Sequence, residues 1–280
     1  MKLTLTRDPH EFAAHTGDFF ESRIECNLIA TVCAGVLAGR YSQSTPLFAY
    51  GTENDETRFA ALRTPPWDML VTALPAPIED ELVARWLRED PEVAGVEGPV
   101  QAARAIASAW AKETGGTTIC RLRELTYALE RVSDPPRPAS GSLRLARGEE
   151  RELVLEWMKA FGRETAIVTD ERAAIIVDAR FAERGLWVWD HDGPVSVLGT
   201  APRVAGAVRI GPVYTPPEHR RRGYAGTAVA AASRRALDRG ARRCMLATDA
   251  TNPTSNKIYT KIGYRQVGAH EEYEFVAPGG

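Results

Sequence analysis

The residues best suited to chemistry stand in one stretch: Val213-Tyr214-Thr215-Pro216-Pro217-Glu218-His219-Arg220-Arg221-Arg222-Gly223-Tyr224-Ala225-Gly226. Residues 205–214 read as a strand that ends near Thr215. Pro216 and Pro217 then stop strand pairing. A basic turn follows and opens directly into an alanine-rich helical stretch. A helix start leaves backbone N–H groups unpaired and carries the positive end of the helix dipole, so this corner is a ready site for an anion, phosphate above all. Gly223 lets the backbone come close and take φ > 0. The small Ala225 and Gly226 leave room for a pyrophosphate beside the first turn. Without the glycine and the helix, the three arginines would read as a solvated loop or a nucleic-acid patch. Neither a Gly-x4-Gly-Lys-Ser/Thr loop nor a Gly-x-Gly-x-x-Gly turn near a first strand is present.

A second stretch, Asn252-Pro253-Thr254-Ser255-Asn256-Lys257-Ile258-Tyr259-Thr260-Lys261-Ile262-Gly263-Tyr264, reads as a helix. Asn252 is a natural N-cap with proline behind it. Taken alone, Tyr259 would be a core-edge aromatic at helical spacing from Ile262. Together, however, the two stretches resemble the GNAT superfamily of N-acyltransferases. Arg220, Gly223 and Ala225 match that family's Arg/Gln-x-x-Gly-x-Gly/Ala motif for the acyl-CoA pyrophosphate. Asn252, Ser255, Tyr259, Gly263 and Tyr264 match its Asn-x-x-Ala/Ser-x-x-x-Tyr-x-x-x-Gly-Phe/Tyr helix. The Asn-Pro-Thr-Ser-Asn variant and the ending Glu272-Tyr273-Glu274-Phe275 are similar to a tandem branch described as predicted acetyltransferases.

The resemblance implies roles residue by residue. Arg220, Arg221, Arg222, Gly223, Tyr224, Ala225 and Gly226 would hold the pyrophosphate, largely through backbone amides. Val213, Tyr214 and Thr215 would pair with the pantetheine arm. Asn252 and Asn256 would contact the pantetheine or its neighbourhood. Tyr259 would protonate the departing thiolate; a phenol of pKa ~10 is matched to that task. The cofactor is expected to be acetyl-CoA, and no metal is needed. Many family members carry a glutamate base on the strand before the basic turn, but here residues 205–214 contain no carboxylate. The base is therefore either a water chain or Asp190, Asp249 or Glu272. His219 lies in the loop and reads as structural.

The surrounding elements must position these groups. Residues 133–140, with prolines at Pro135, Pro136 and Pro138, deny helix and sheet pairing and read as a semi-rigid linker. They divide the chain into residues 1–132 and 141–280. In the second half, strands are expected at 143–146, 186–190, 195–198, 205–214 and 244–247, with a terminal strand pair at 264–268 and 272–276. Helices are expected at 149–161, 170–184, 225–239 and 253–262, with Thr169 or Asp170 capping the second. The first half suggests strands at 2–6, 46–50, 58–62, 68–74 and 117–132. Its helices fall within 11–37, at 78–88 and at 100–113. The predicted fold is mixed α/β (α+β): two GNAT-like domains, each a mostly antiparallel sheet flanked by helices. Residues 1–132 carry no basic phosphate turn. Gly95-Val96-Glu97-Gly98-Pro99-Val100-Gln101 is the candidate for its degenerate counterpart, so the first half is expected to be inactive and the second catalytic.

Composition bounds the rest. The 280 residues, 44% hydrophobic and 26% charged, suffice for one large domain or two of ordinary size. A net charge of -2 gives no global field for nucleic acid or anionic membrane. Cys26, Cys33, Cys120 and Cys244 are scattered, with no paired or zinc-ligand spacing. Residues 1–10 lack a signal-peptide core, so a cytoplasmic protein is expected. The expected partner is a small-molecule or peptide amine, with no nucleic acid and no membrane. A non-enzymatic acyl-CoA sensor is the alternative; it would keep the basic turn and lose Asn252 and Tyr259.

Overall fold

The computed structural model describes residues 1–41, 44–165 and 168–279. Its first half runs β1 (Lys2–Thr6), α1 (Pro9–Ser22), α2 (Asn27–Leu37), β2 (Leu47–Glu53), β3 (Glu56–Arg63), β4 (Met69–Val71), α3 (Glu79–Glu89), β5 (Gly95–Pro99), α4 (Val100–Thr114) and β6 (Thr117–Leu129). The second half runs β7 (Ser142–Leu145), α5 (Arg151–Thr165), α6 (Asp170–Ala182), β8 (Leu186–Asp190), β9 (Pro194–Thr200), β10 (Ala207–Tyr214), α7 (Tyr224–Asp238), β11 (Arg243–Asp249), α8 (Pro253–Lys261) and β12 (Arg265–Val276). The same order occurs twice: strand, two helices, three strands, helix, strand, helix, strand.

Two compact units result. The first comprises Met1–Thr126, Asp249–Thr251 and Val267–Gly280; the second comprises Tyr127–Thr248 and Asn252–Gln266. In the first unit the strand order is β1-β2-β3-β4-β5-β12-β6, antiparallel from β1 to β4, parallel at β4–β5 and antiparallel again at β5–β12. The chain's last strand therefore completes the first unit's sheet, with His270 to Glu274 opposite Pro99 to Gly95. In the second unit the order is β11-β10-β9-β8-β7, antiparallel except for the parallel β10–β11 pair. Each unit has its own apolar core. Trp86, Leu82, Phe59 and Ile106 are fully buried in the first; Val154, Met158, Val177 and Val188 are fully buried in the second.

Several boundaries differ from the sequence expectation. The strands expected at 46–50 and 58–62 extend into a hairpin because Asn54 and Asp55 both take positive φ (52° and 63°). Two successive positive φ values make the turn whose twist matches paired strands. Asp68 and residues 72–74 fall outside β4, which ends before Pro75 and Pro77. The helix within 11–37 is broken into α1 and α2 by a 3-10 turn at Ile24–Cys26. The expected terminal strand pair is one strand, β12: Gly268 does not take positive φ, and pairing with β5 runs unbroken from His270 to Glu274. Residues 95–99, read above as a degenerate phosphate loop, are β5. By element order, the counterpart of the basic turn is the β4–α3 corner at residues 72–78.

Candidate functional site

The basic turn lies in the second unit between β10 and α7. A 3-10 turn, Pro217–His219, begins at the second of the two prolines. Arg221 then takes φ 64° and Gly223 φ 85°, so the chain twice enters the left-handed region before α7 begins. That conformation costs a non-glycine residue on the order of 1 kcal/mol or more, and the surroundings must hold it. At Gly223 a side chain would also crowd the Arg137 carbonyl, 3.0 Å from an added Cβ.

The holding is visible. Arg220 donates from Nε to the Thr215 carbonyl (2.8 Å) and from its terminal nitrogen to both Glu164 oxygens (2.8 and 2.7 Å). Its guanidinium also lies 5.5 Å from the Tyr214 ring centre, and the Tyr214 hydroxyl donates to Glu164 at 3.0 Å. Burial, with the Glu164 carboxylate beside it, raises the Tyr214 phenol pKa. Arg220 therefore latches the loop onto the ends of β10 and α5. Arg221 and Arg222 are exposed and form no ion pair among the described residues.

The consequence is a concentrated set of donors. Among the described residues, the backbone N–H groups of residues 221–226 make no hydrogen bond; the first α7 amide with a partner is Thr227, which donates to the Gly223 carbonyl at 3.0 Å. Six amides and two exposed guanidiniums sit at the positive end of a 15-residue helix. An anion such as a pyrophosphate fits that donor set.

The other expected site residues are placed as follows. Tyr224 has a buried side chain near His191 and His219 (ring centres 5.8 and 6.5 Å), which confines its part to its amide. Ala225 is half-buried. Gly226 is buried and leaves room for Ile258 of α8, 3.2 Å from an added Cβ, so its smallness serves helix packing. On β10, the registered pairing with β11 covers Ala207, Val208 and Arg209 only. The β9 pairing shifts register between Ile210 and Val213. Val213 and Tyr214 thus keep β9 on one edge and lie beyond the β11 register on the other. The Ser196 hydroxyl, absent from the sequence reading, donates to the Tyr214 carbonyl (2.9 Å) and bonds the Thr215 hydroxyl (2.8 Å), fixing the strand end.

On α8, Asn252 caps the helix by accepting from the Ser255 amide at 3.1 Å. Asn256 accepts from the Tyr127 hydroxyl at 3.2 Å. Tyr259 is half-buried; its ring packs edge-on to Tyr264 (6.1 Å between ring centres), and desolvation of the hydroxyl pushes its phenol up to about 12. Its hydroxyl makes no hydrogen bond among the described residues, which leaves a protonated donor without a partner. Of the candidate bases, Asp190 is held by Arg144 (2.7 Å from Nε), which drives its pKa down. Asp249 accepts from the Thr251 amide and hydroxyl (2.7 and 2.8 Å) and, like Glu272, is counted with the first unit.

Residues 151–264, which hold both motifs, match the family model of the GNAT acetyltransferases. This chain carries a GNAT-family acetyltransferase domain. Solved structures extend the likeness in fold along nearly the whole length. A Drosophila protein gives a TM-score of 0.67 at 14% identity, with 99% of either chain covered. A GCN5-related N-acetyltransferase from Sphaerobacter thermophilus gives 0.61 at 17%, covering 99% of this chain and 96% of its own. A tandem GNAT protein from the clavulanic acid biosynthesis pathway gives 0.57 at 13%, covering 100% and 99%. No curated protein matches the sequence. At family level the domain supports acyl transfer, and GNAT proteins generally use acetyl-CoA. Among the described residues no helix is long and apolar enough to cross a membrane.

The sequence could not give Glu164, 56 residues from its partner Arg220, because its side of the ion pair carries no motif. Tyr127 and Ser196 were missed for the same reason. The proline-rich segment is also more firmly held than its composition suggests. The Ser133 amide donates to the Ile262 carbonyl (2.9 Å), Ala139 to the Thr227 hydroxyl (3.0 Å), and Trp189 to the Ser140 carbonyl (2.8 Å).

Proposed function

We propose that this protein transfers an acyl group, expected to be acetyl, from acyl-CoA to a primary amine of a small molecule or peptide by direct attack in a ternary complex. The observation that carries the reading is the row of six unpartnered amides at residues 221–226. Those amides, with Arg221 and Arg222, bind the pyrophosphate, and Arg220 keeps the loop in shape through Glu164. The edge of β10 at Val213, Tyr214 and Thr215 takes the pantetheine as an added strand would be taken. Asn252 and Asn256 border its path. Bound acyl-CoA supplies an activated thioester; the chain supplies position and proton management.

Tyr259 donates the proton that the departing sulfur needs. Its phenol, near 12, keeps its proton at neutral pH and so has it in place when the thiolate departs. The amine loses its proton to water, because Asp190 is committed to Arg144. Neither nucleic acid nor membrane takes part.

The test is thiol release from acetyl-CoA over a panel of primary amines. Turnover with one amine class, reduced in Tyr259→Phe, supports the reading. Saturable acetyl-CoA binding without turnover on any amine would favour the non-enzymatic sensor.

A further inference from the structure

The second unit holds another concavity, of about 320 Å³, between the C-terminal half of α7 and the near ends of β8, β9 and β10. That volume lies in the range of small-molecule sites. Arg184, Arg203, Arg235 and Arg239 line it, and no carboxylate does. None of the four forms an ion pair among the described residues. The structural roles they do have are partial. Arg203 donates to the Arg239 carbonyl at 3.2 Å, and Arg235 lies 4.8 Å from the Trp187 ring centre. The C-terminus of α7 contributes about half a negative charge, far less than four guanidiniums supply.

The floor is of a different character. Trp187 is buried, with its indole N–H committed to the Thr200 hydroxyl at 3.0 Å. Ala201, Val208 and Ala232 add apolar surface. Arg184 is held at φ 52°, a position at a helix end usually given to glycine or asparagine. The basic turn is well separated: Arg235 follows Gly223 on the same helix by about 18 Å at 1.5 Å per residue.

We propose that this concavity is a second ligand site, which binds a small organic anion with two or more negative charges and a short carbon skeleton. The guanidinium rim takes the oxyanions and the apolar floor takes the skeleton. The oxyanions belong to a phosphomonoester or to a polycarboxylate.

The test is calorimetric titration of the full chain at near-physiological salt with two probes, citrate and glycerol 2-phosphate. The expected result is saturable binding of at least one probe at one site per chain. Which probe binds tells the phosphate source from the carboxylate one. Arg235→Gln/Arg239→Gln should weaken it at least tenfold, as should the separate Arg184→Gln/Arg203→Gln variant; Gly223→Asp should leave it unchanged. Melting temperatures of all variants verify folding. No saturable binding of either probe overturns the proposal. So does binding lost in Gly223→Asp but kept in the arginine variants, which would put the anion at the basic turn. Binding of an RNA oligomer alone, with neither small anion saturating, would also overturn it.

Discussion

The two halves of this chain repeat one order of elements but treat the corner before their central helix in opposite ways. In the second unit, β10 leads through a basic, glycine-containing turn into α7, whose first amides are left without partners. In the first unit, β4 leads through residues 72–78 into α3, whose first turn carries Glu79, Asp80 and Glu81. The Ile78 amide is already taken by Glu79 at 2.9 Å, and Pro75 and Pro77 have no N–H to give. Three carboxylates also satisfy the helix dipole and repel phosphate. One fold thus leaves the amides of this corner open or closes them off according to a handful of residues, which is why fold alone does not name a function.

The partner helices differ as well. α8 carries Tyr259, whereas α4 has no tyrosine. The largest effect should therefore come from Tyr259→Phe. On its proposed role as general acid, its loss should cost about 10²- to 10⁴-fold in kcat, with acetyl-CoA affinity unchanged. An unchanged kcat would remove the main chemical distinction between the two units.

Glu164→Gln tests how the second corner is held. The ion pair with Arg220 is about half exposed, so its contribution to stability is small, within about 1 kcal/mol. Its effect should appear instead in function, as a rise of roughly 3- to 10-fold in the KM for acetyl-CoA with little change in kcat. A fall in kcat with KM unchanged would contradict a purely positioning role.

The converse change, Glu79→Gln/Asp80→Asn/Glu81→Gln, removes the acids from the first corner. Each exposed charge at a helix start contributes about 0.3–1 kcal/mol. A loss of a few degrees in Tm is expected, with no second acetyl-CoA site, since the prolines still lack donors. A second site in calorimetry would break the comparison.

The smallest effect is on alkaline stability. Below pH 10 the Tyr259 phenol is protonated in folded and unfolded chains alike. Between 10 and about 12 the unfolded phenol ionises while the folded one keeps its proton, so stability falls as pH rises through that window. Tyr259→Phe should flatten that fall in denaturant titrations at pH 10 to 11. An unaltered slope would mean that Tyr259 is not shielded from solvent.

Much of this was legible in the sequence because it depends on local chemistry. The prolines at Pro216 and Pro217, the glycine at Gly223 and the cap at Asn252 act on their immediate neighbours. Leu82, Val83 and Trp86 stand at helical spacing on α3, and all three are buried. What stayed hidden depends on distant partners. Glu164, Ser196 and Tyr127 carry no local pattern, and only the fold brings them to Arg220, Tyr214 and Asn256. The sequence points to residues 95–101 as the counterpart corner because that stretch directly precedes a helix, but residues 95–99 are β5. Gly95 and Gly98 are needed within the strand, where an added Cβ would lie 2.4 Å from the Tyr273 carbonyl and 2.6 Å from Val71. Nor could the sequence reveal that Val267–Gly280 joins the first unit, since strand pairing across such a separation leaves no periodic signal.

The most direct test of the central claim is calorimetric titration of the whole chain with acetyl-CoA, alongside an Arg222→Glu/Gly223→Asp variant that gives the second corner the acidic character of the first. Micromolar binding at one site per chain is expected, lost in a variant that still folds. Binding that survives the variant, or a wild-type protein that binds no acetyl-CoA, would contradict it.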